Sequence, residues 1–288
     1  MAIQKPEPLV IGNKAFYTLT SYGPVDVQVH MANITDEEVA LSVQTLVQEA
    51  GGTEQDLADP ACVASHFEGI EDKQHLLERT RAYLESLNED SAENQKVSGC
   101  LDALAERLCQ SVPAAQVAQV KDVLFQDIAQ QIAATGQPVE AALEQMGVRP
   151  DQLDAMLQSE AMREAEHEAA LDAYASEKKI KVDETDLPHL LQLSPADAQA
   201  LIESAKATGR LDQLLETARR AKTIDAVVAE CNCTYVQETE EETKKHLEGM
   251  RAAMHQREEL ARRSAGVTEK DVTGGGANGG SDSGLKLV

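Results

Sequence analysis

Tryptophan is absent from this 288-residue sequence, and only 3 Phe and 5 Tyr are present. A base-stacking platform or an aromatic cage therefore has almost no raw material. Basic residues are also scarce: 26 Lys and Arg face 50 Asp and Glu, a formal net charge of −24. Phosphate neutralisation needs a basic surface, so a nucleic-acid partner is not expected. No stretch approaches the ~20 apolar residues of a membrane span. Met1 to Lys14 shows no apolar core followed by a small-residue cleavage site, so no signal peptide is expected. The five cysteines, Cys62, Cys100, Cys109, Cys231 and Cys233, are odd in number and widely spread. They do not read as a disulfide framework and fit reduced thiols in a cytoplasm. Catalytic signatures are missing too. There is no Walker loop, GxSxG or HExxH, and the only GxGxxG spacing lies in the low-complexity run Gly274–Gly280. Neither an enzyme nor a bound cofactor is expected.

Ala, Leu, Glu and Gln dominate what remains, a composition that leans to helix. Val25, Val27 and Val29 alternate with polar residues as in a half-buried strand, with Phe16 to Thr20 as the expected hairpin partner through Tyr22-Gly23-Pro24. Thr35 and Glu38 have capping-box spacing, which starts a helix at Asp36 that stops at Gly51-Gly52. From Leu76 to Leu108 two apolar sets flank the polar run Asn88–Gln95. One rod of about 60 Å and a break near Asn88 are the competing readings. Helices follow at Pro113–Gly136, Pro138–Met146, Pro150–Lys178, Asp183–Leu191, Ser194–Gly209 and Arg210–Cys231. The charged middle of the fourth long helix, Glu160 to Glu168, reads as a solvated bridge between packed ends.

The expected fold is thus mostly α: an elongated multi-helix domain with a long body helix, two helical arms, a short N-terminal strand or hairpin and a disordered tail. Residues 1–52 carry the strand and linker helix. Residues 53–238 form the helical domain, with arms at about 113–178 and 182–231. Residues 239–263 form a charged helix, and the Gly/Ser-rich tail, 264–288, cannot bury enough surface to order itself.

Candidate chemistry is thin. Glu164, Glu166, His167 and Glu168 crowd one helix, which could hold a metal but reads better as a solvated acidic face. Cys231-Asn-Cys233 could ligate zinc or cycle as a dithiol. A structural zinc usually needs four ligands, and neither a second Cys pair nor a neighbouring His completes them, so inert or merely oxidisable thiols are expected. Lys178, Lys179 and Lys181 suit a helix end. Met146, Met156 and Met162 lie along one arm, where flexible thioethers serve either as core filler or as adaptable contacts.

Three stretches carry a resemblance to a known family. These are Val25 to Leu46 with Ile34-Thr35-Asp36-Glu37-Glu38-Val39, then Phe67-Glu68-Gly69-Ile70-Glu71-Asp72 with the helix after it, and Ile180-Lys181-Val182-Asp183 through Ala221 to Val228. In this order they resemble the C-terminal, peptide-binding part of the trigger factor family over roughly residues 25–238. Two family features are missing. No Gly-Phe-Arg occurs, so ribosome docking is not implied, and sixteen residues between Ala50 and Phe67 cannot hold an FKBP-like prolyl isomerase domain. The resemblance implies an ATP-independent holdase that cradles unfolded or nascent polypeptides, basic ones favoured by the acidic surface. Client contact is expected at apolar arm residues: Leu153, Met156, Met162, Leu190, Leu193, Leu211 and Leu215. Pairing of two copies to enclose a client stays open. The alternatives are a helical adaptor holding one folded partner, and a SurA-like extracytoplasmic chaperone, which the lack of a signal peptide disfavours.

Overall fold

The computed structural model describes residues 5–12, 14–145 and 147–268. The elements are β1 (Leu9–Ile11), β2 (Lys14–Phe16), β3 (Asp26–Met31), α1 (Asp36–Glu49), a 3-10 turn (Glu54–Ala58), α2 (Pro60–His66), α3 (Lys73–Ala105), α4 (Ala114–Ala134), α5 (Val139–Gln145), α6 (Pro150–Glu177), α7 (Leu187–Leu190), α8 (Pro195–Ala207), α9 (Leu211–Glu230), β4 (Asn232–Gln237) and α10 (Glu240–Thr268). The fold is mostly α. Helix α3 is continuous for 33 residues, so there is no break at Asn88. The chain divides into two compact units. One holds the chain up to His30 and from Asp90 to Val236; the other holds Met31–Glu89 and the chain from Gln237 on.

In the second unit, the Thr35 hydroxyl accepts the Glu38 N–H at 3.1 Å and so starts α1 where the spacing placed it. Val39, Val43 and Val47 recur every four residues and are buried. Val43 and Val47 meet Leu57, Val63, Ile70 and Leu76, with Phe67 and Leu77 closing the cluster. Gly51, at φ +79°, ends the helix in a conformation glycine adopts without strain. Between α1 and α3 the chain makes only the 3-10 turn and the seven-residue α2. Helix α10 is capped by Thr239, buries Thr243 and Leu247, and pairs Arg257 with Glu49 at 3.0 Å and Arg251 with Glu37. It is a packed helix that runs to Thr268. The disorder expected of the tail falls, from residue 269 on, outside the described residues.

In the first unit, Val25, Val27 and Val29 are buried as the alternation requires. The strand partner differs from expectation. β3 pairs with β4, over two hundred residues away, and the backbone N–H of Asn232 donates to Val25 O. Phe16–Thr20 does not form the hairpin. Leu19 bridges Leu108, and the Arg107 guanidinium captures the Gly23 and Pro24 carbonyls at 2.6 and 2.8 Å, which fixes that turn against the end of α3. The hairpin that does form is β1–β2, Leu9 opposite Phe16.

The solvated bridge expected in α6 is also corrected. Ala161 and Ala165 are fully buried and His167 nearly so. Small side chains let neighbouring helices approach closely, and the charges between them find partners on those helices. Arg163 Nε donates to Asp102 Oδ1 on α3 at 3.0 Å, His167 Nε2 lies 2.7 Å from the same oxygen, and Arg220 of α9 pairs with Glu168 at 2.6 Å.

Candidate functional site

The seven expected contact residues lie in two groups, both within the first unit, and none is fully buried. The first group sits on α6, which packs against α4 and is tied to it by Lys121 Nζ and Asp154 Oδ1 at 2.7 Å. The α4 stripe Val117, Val120, Leu124, Ile128 and Ile132 faces inward only at Val117; the rest are half-buried. Leu153 is half-buried, Met156 is 65% exposed and Met162 39%. These two methionines are surface residues, not core filler; Met146 lies outside the described residues. A shallow hollow of about 590 Å³ beside Met162 is lined by Ala155, Gln158, Ser159, Arg163 and Glu166. A second, of about 390 Å³, lies between Leu143, Val148 and Pro150 where α5 turns into α6.

The second group belongs to α7, α8 and α9. Leu187, Ile202 and Ala218 are buried together, and Leu190, Leu211 and Leu215 lean on them half-exposed. Three central side chains cannot cover the six apolar ones packed around them, so part of each surrounding leucine stays open to solvent. Leu193 is half-buried in the turn after α7, where its N–H donates to Pro188 O at 2.9 Å.

Other exposed apolar residues lie outside the seven expected ones. Val123 and Phe125 lie off the inward stripe of α4 at 56% and 45% exposure, and Leu201 projects from α8. The signal was there: α4 carries apolar residues on more than one face. Leu9, Val10 and Ile11 are exposed on the hairpin, which no helical periodicity could flag.

Fixed charges hold these surfaces in place. Asp172 accepts from Arg219 Nη2 at 3.1 Å and from Arg220 Nε and Nη2 at 3.2 and 2.8 Å, fastening α6 to α9. Burial pushes the Glu168 carboxyl up, with Arg220 offsetting it only in part. At Asp102 burial works the same way, but the hydrogen bonds from Arg163 and His167 outweigh it and hold the carboxyl below its ordinary value. Near the end of α6, Lys178 and Tyr174 both donate to Glu230 Oε2 at 3.0 Å. His167 is thus spent on Asp102 and Glu168 on Arg220. Among the described residues no group of three or more His, Cys, Asp or Glu is placed to hold a metal ion.

The Cys231/Cys233 pair has a neighbour that the sequence did not suggest. Cys100, fully buried on α3, has Cys231 as its neighbour. Its thiol is pushed up to about 12, first by burial and then by Cys231. Tyr235 is hydrogen-bonded to Cys233, which raises the phenol.

A mostly α-helical protein with charge-clamped helices and apolar side chains left open on two of its helix groups is the class the fold defines. Within that class, the family model for the bacterial trigger factor protein (TF) C-terminus matches residues 74–229, more than half of the chain. The chain belongs to that family. A trigger factor from Halothermothrix orenii (strain H 168 / OCM 544 / DSM 9562) is 27% identical over 170 residues, which cover 57% of this chain and 39% of that protein. The chain therefore spans well under half the length of the relative it matches.

Proposed function

We propose that this chain is an ATP-independent chaperone of the holdase type, without prolyl isomerase activity, that binds unfolded or nascent polypeptides in the cytoplasm. The observation that carries the reading is the pair of open apolar groups, Leu153, Met156 and Met162 on α6, and Leu190, Leu193, Leu211 and Leu215 around α7–α9. A client segment gains burial by covering them, roughly 1.5–3 kcal/mol for each side chain taken fully out of water. The acidic surface, −24 in all, keeps a loaded complex soluble and favours basic clients.

Suppression of aggregation of several unrelated denatured proteins is the test. The double variant Met156→Glu/Met162→Glu touches exposed positions and should keep its melting temperature. Its client affinity should drop by roughly tenfold to a hundredfold. Basic clients should bind more weakly as salt rises. Failure to protect any client, with copurification of one stoichiometric folded partner instead, would replace the holdase by an adaptor.

A further inference from the structure

The three thiols of Cys100, Cys231 and Cys233 come from the last third of α3 and from the junction of α9 with β4, and a specific packing brings these segments together. Val27 of β3 lies so close to α3 that a Cβ added at Gly99 would meet its Cγ1 at 2.6 Å. β4 pairs with β3, and the Asn232 N–H to Val25 O bond fixes where β4 begins. Cys100, next to Gly99, is thereby placed under the residues that flank Asn232. Cys231 and Cys233 are two apart in extended chain and so share one face, and both are half-buried. The charge of Lys96, one turn before Cys100, acts on both Cys100 and Tyr235, and that of Glu93, a further turn away, acts on Tyr235. On the far side, Asn232 Nδ2 holds Asp26 Oδ1 at 2.9 Å.

We propose that this cluster is an oxidation site, in which a disulfide-type oxidant such as oxidised glutathione is received at half-buried Cys231 and converted into a Cys100–Cys231 disulfide that fastens β4 to α3. A thiol that is fully buried cannot meet an oxidant itself, whereas half-buried Cys231 can, and Cys231 is the thiol that acts most strongly on Cys100. Cys233 is a poor partner for Cys231. An extended chain holds residues i and i+2 farther apart than a relaxed disulfide bridges, so pairing them would require local distortion. In the first step, the Cys231 thiolate attacks one sulfur of glutathione disulfide and expels one glutathione, which takes up the proton Cys231 gave. In the second, Cys100 attacks the Cys231 sulfur of the mixed disulfide, and the second glutathione leaves with the Cys100 proton. Two protein thiols are oxidised and one small disulfide is reduced to two thiols. The second step is the slow one, because Cys100 holds its proton tightly.

The bond would close a loop containing every residue of α4 to α9. Cross-links that close long loops constrain the unfolded chain most, so the oxidised protein should melt higher by roughly 10 °C. The site is therefore a reversible clamp on the unit that carries the apolar groups. It stands on thiol geometry, independently of whether those groups bind clients.

The experiment uses the full chain with Cys62→Ser and Cys109→Ser, incubated with excess oxidised glutathione, quenched and mapped by non-reducing peptide mass spectrometry. The expected product is a Cys100–Cys231 linked peptide, two hydrogens lighter than the free pair, with the higher melting temperature. In Cys100→Ala a glutathione adduct should persist at Cys231 and no internal bond should form. In Cys231→Ser, which leaves the buried core untouched, Cys100 should resist oxidant until the protein is denatured. A wild type that stops at the Cys231 adduct, that closes only Cys231–Cys233, or that closes without gaining thermal stability would overturn the proposal. So would a Cys100–Cys233 bond that forms in Cys231→Ser at the wild-type rate.

Discussion

Replacing Gly99 by alanine measures how closely β3 is seated on α3. In an ordinary helix interior the change would stabilise, because alanine is favoured over glycine by about 1 kcal/mol. Gly99 is not ordinary. An added Cβ would lie 2.6 Å from Val27 Cγ1, and Val27 is buried with a β-branched, stiff side chain. Relieving that contact means moving the strand or the helix, and overpacking of this kind costs roughly 1–3 kcal/mol. Gly99→Ala should therefore destabilise by about 1 kcal/mol net, the clash of about 2 exceeding the propensity gain. Val27→Ala, by loss of two buried methyl groups, should cost about 2 kcal/mol. In the double variant the clash disappears and only the propensity gain remains. The glycine substitution should then stabilise by about 1 kcal/mol, a coupling of about 2 kcal/mol between the sites. Urea denaturation followed by circular dichroism measures all four proteins. If Gly99→Ala stabilises the wild type as much as it stabilises Val27→Ala, the close approach does not exist and the account of β3 is wrong.

Three further outcomes follow from the charge and cap geometry. Asp172→Asn leaves two guanidinium groups, each about one-fifth exposed, facing a neutral amide, and should cost about 2 kcal/mol in thermal unfolding; a change within error would class these as ordinary surface pairs. Asp102 has a folded-state value below its unfolded value of about 3.9, so its contribution is present above that pH and vanishes as pH falls through the folded value. Asp102→Asn should accordingly flatten the acid limb of the stability curve, and an unchanged limb would show that Arg163 and His167 do not hold it. Thr35→Ala should cost about 1 kcal/mol of stability while Thr35→Ser restores it, because the cap needs only the hydroxyl.

Helix ends were the most legible feature, because their causes are local. Thr35, Ser194 and Thr239 each cap the helix that follows them, and the glycines at 51, 136, 147 and 209 sit at positive φ where helices stop. The burial of Val25, Val27 and Val29 was legible for the same reason, since alternation is a property of the strand itself. What the strand pairs with was not. β4 is remote in sequence, its residues alternate weakly, and the nearer Phe16–Thr20 looked equally suitable until Arg107 took the carbonyls of the intervening turn.

The candidate contact residues show the same division. Met156 and Met162 could be chosen as apolar side chains among polar ones, but whether they were core or surface depended on which face of α6 its neighbours covered. The buried face turned out to be the alanine face.

The sequence by itself determined the helical content, the acidic surface and many of the positions where helices begin and end, because propensity, charge and capping act within a few residues along the chain; the helix expected from Asp183 begins only at Leu187. Only the tertiary structure decided that α6 is buried at its charged middle, that β3 takes β4, and that Cys100 lies against Cys231. Each of these depends on groups on different elements, remote along the chain, held together by close packing and by ion pairs that no local pattern encodes.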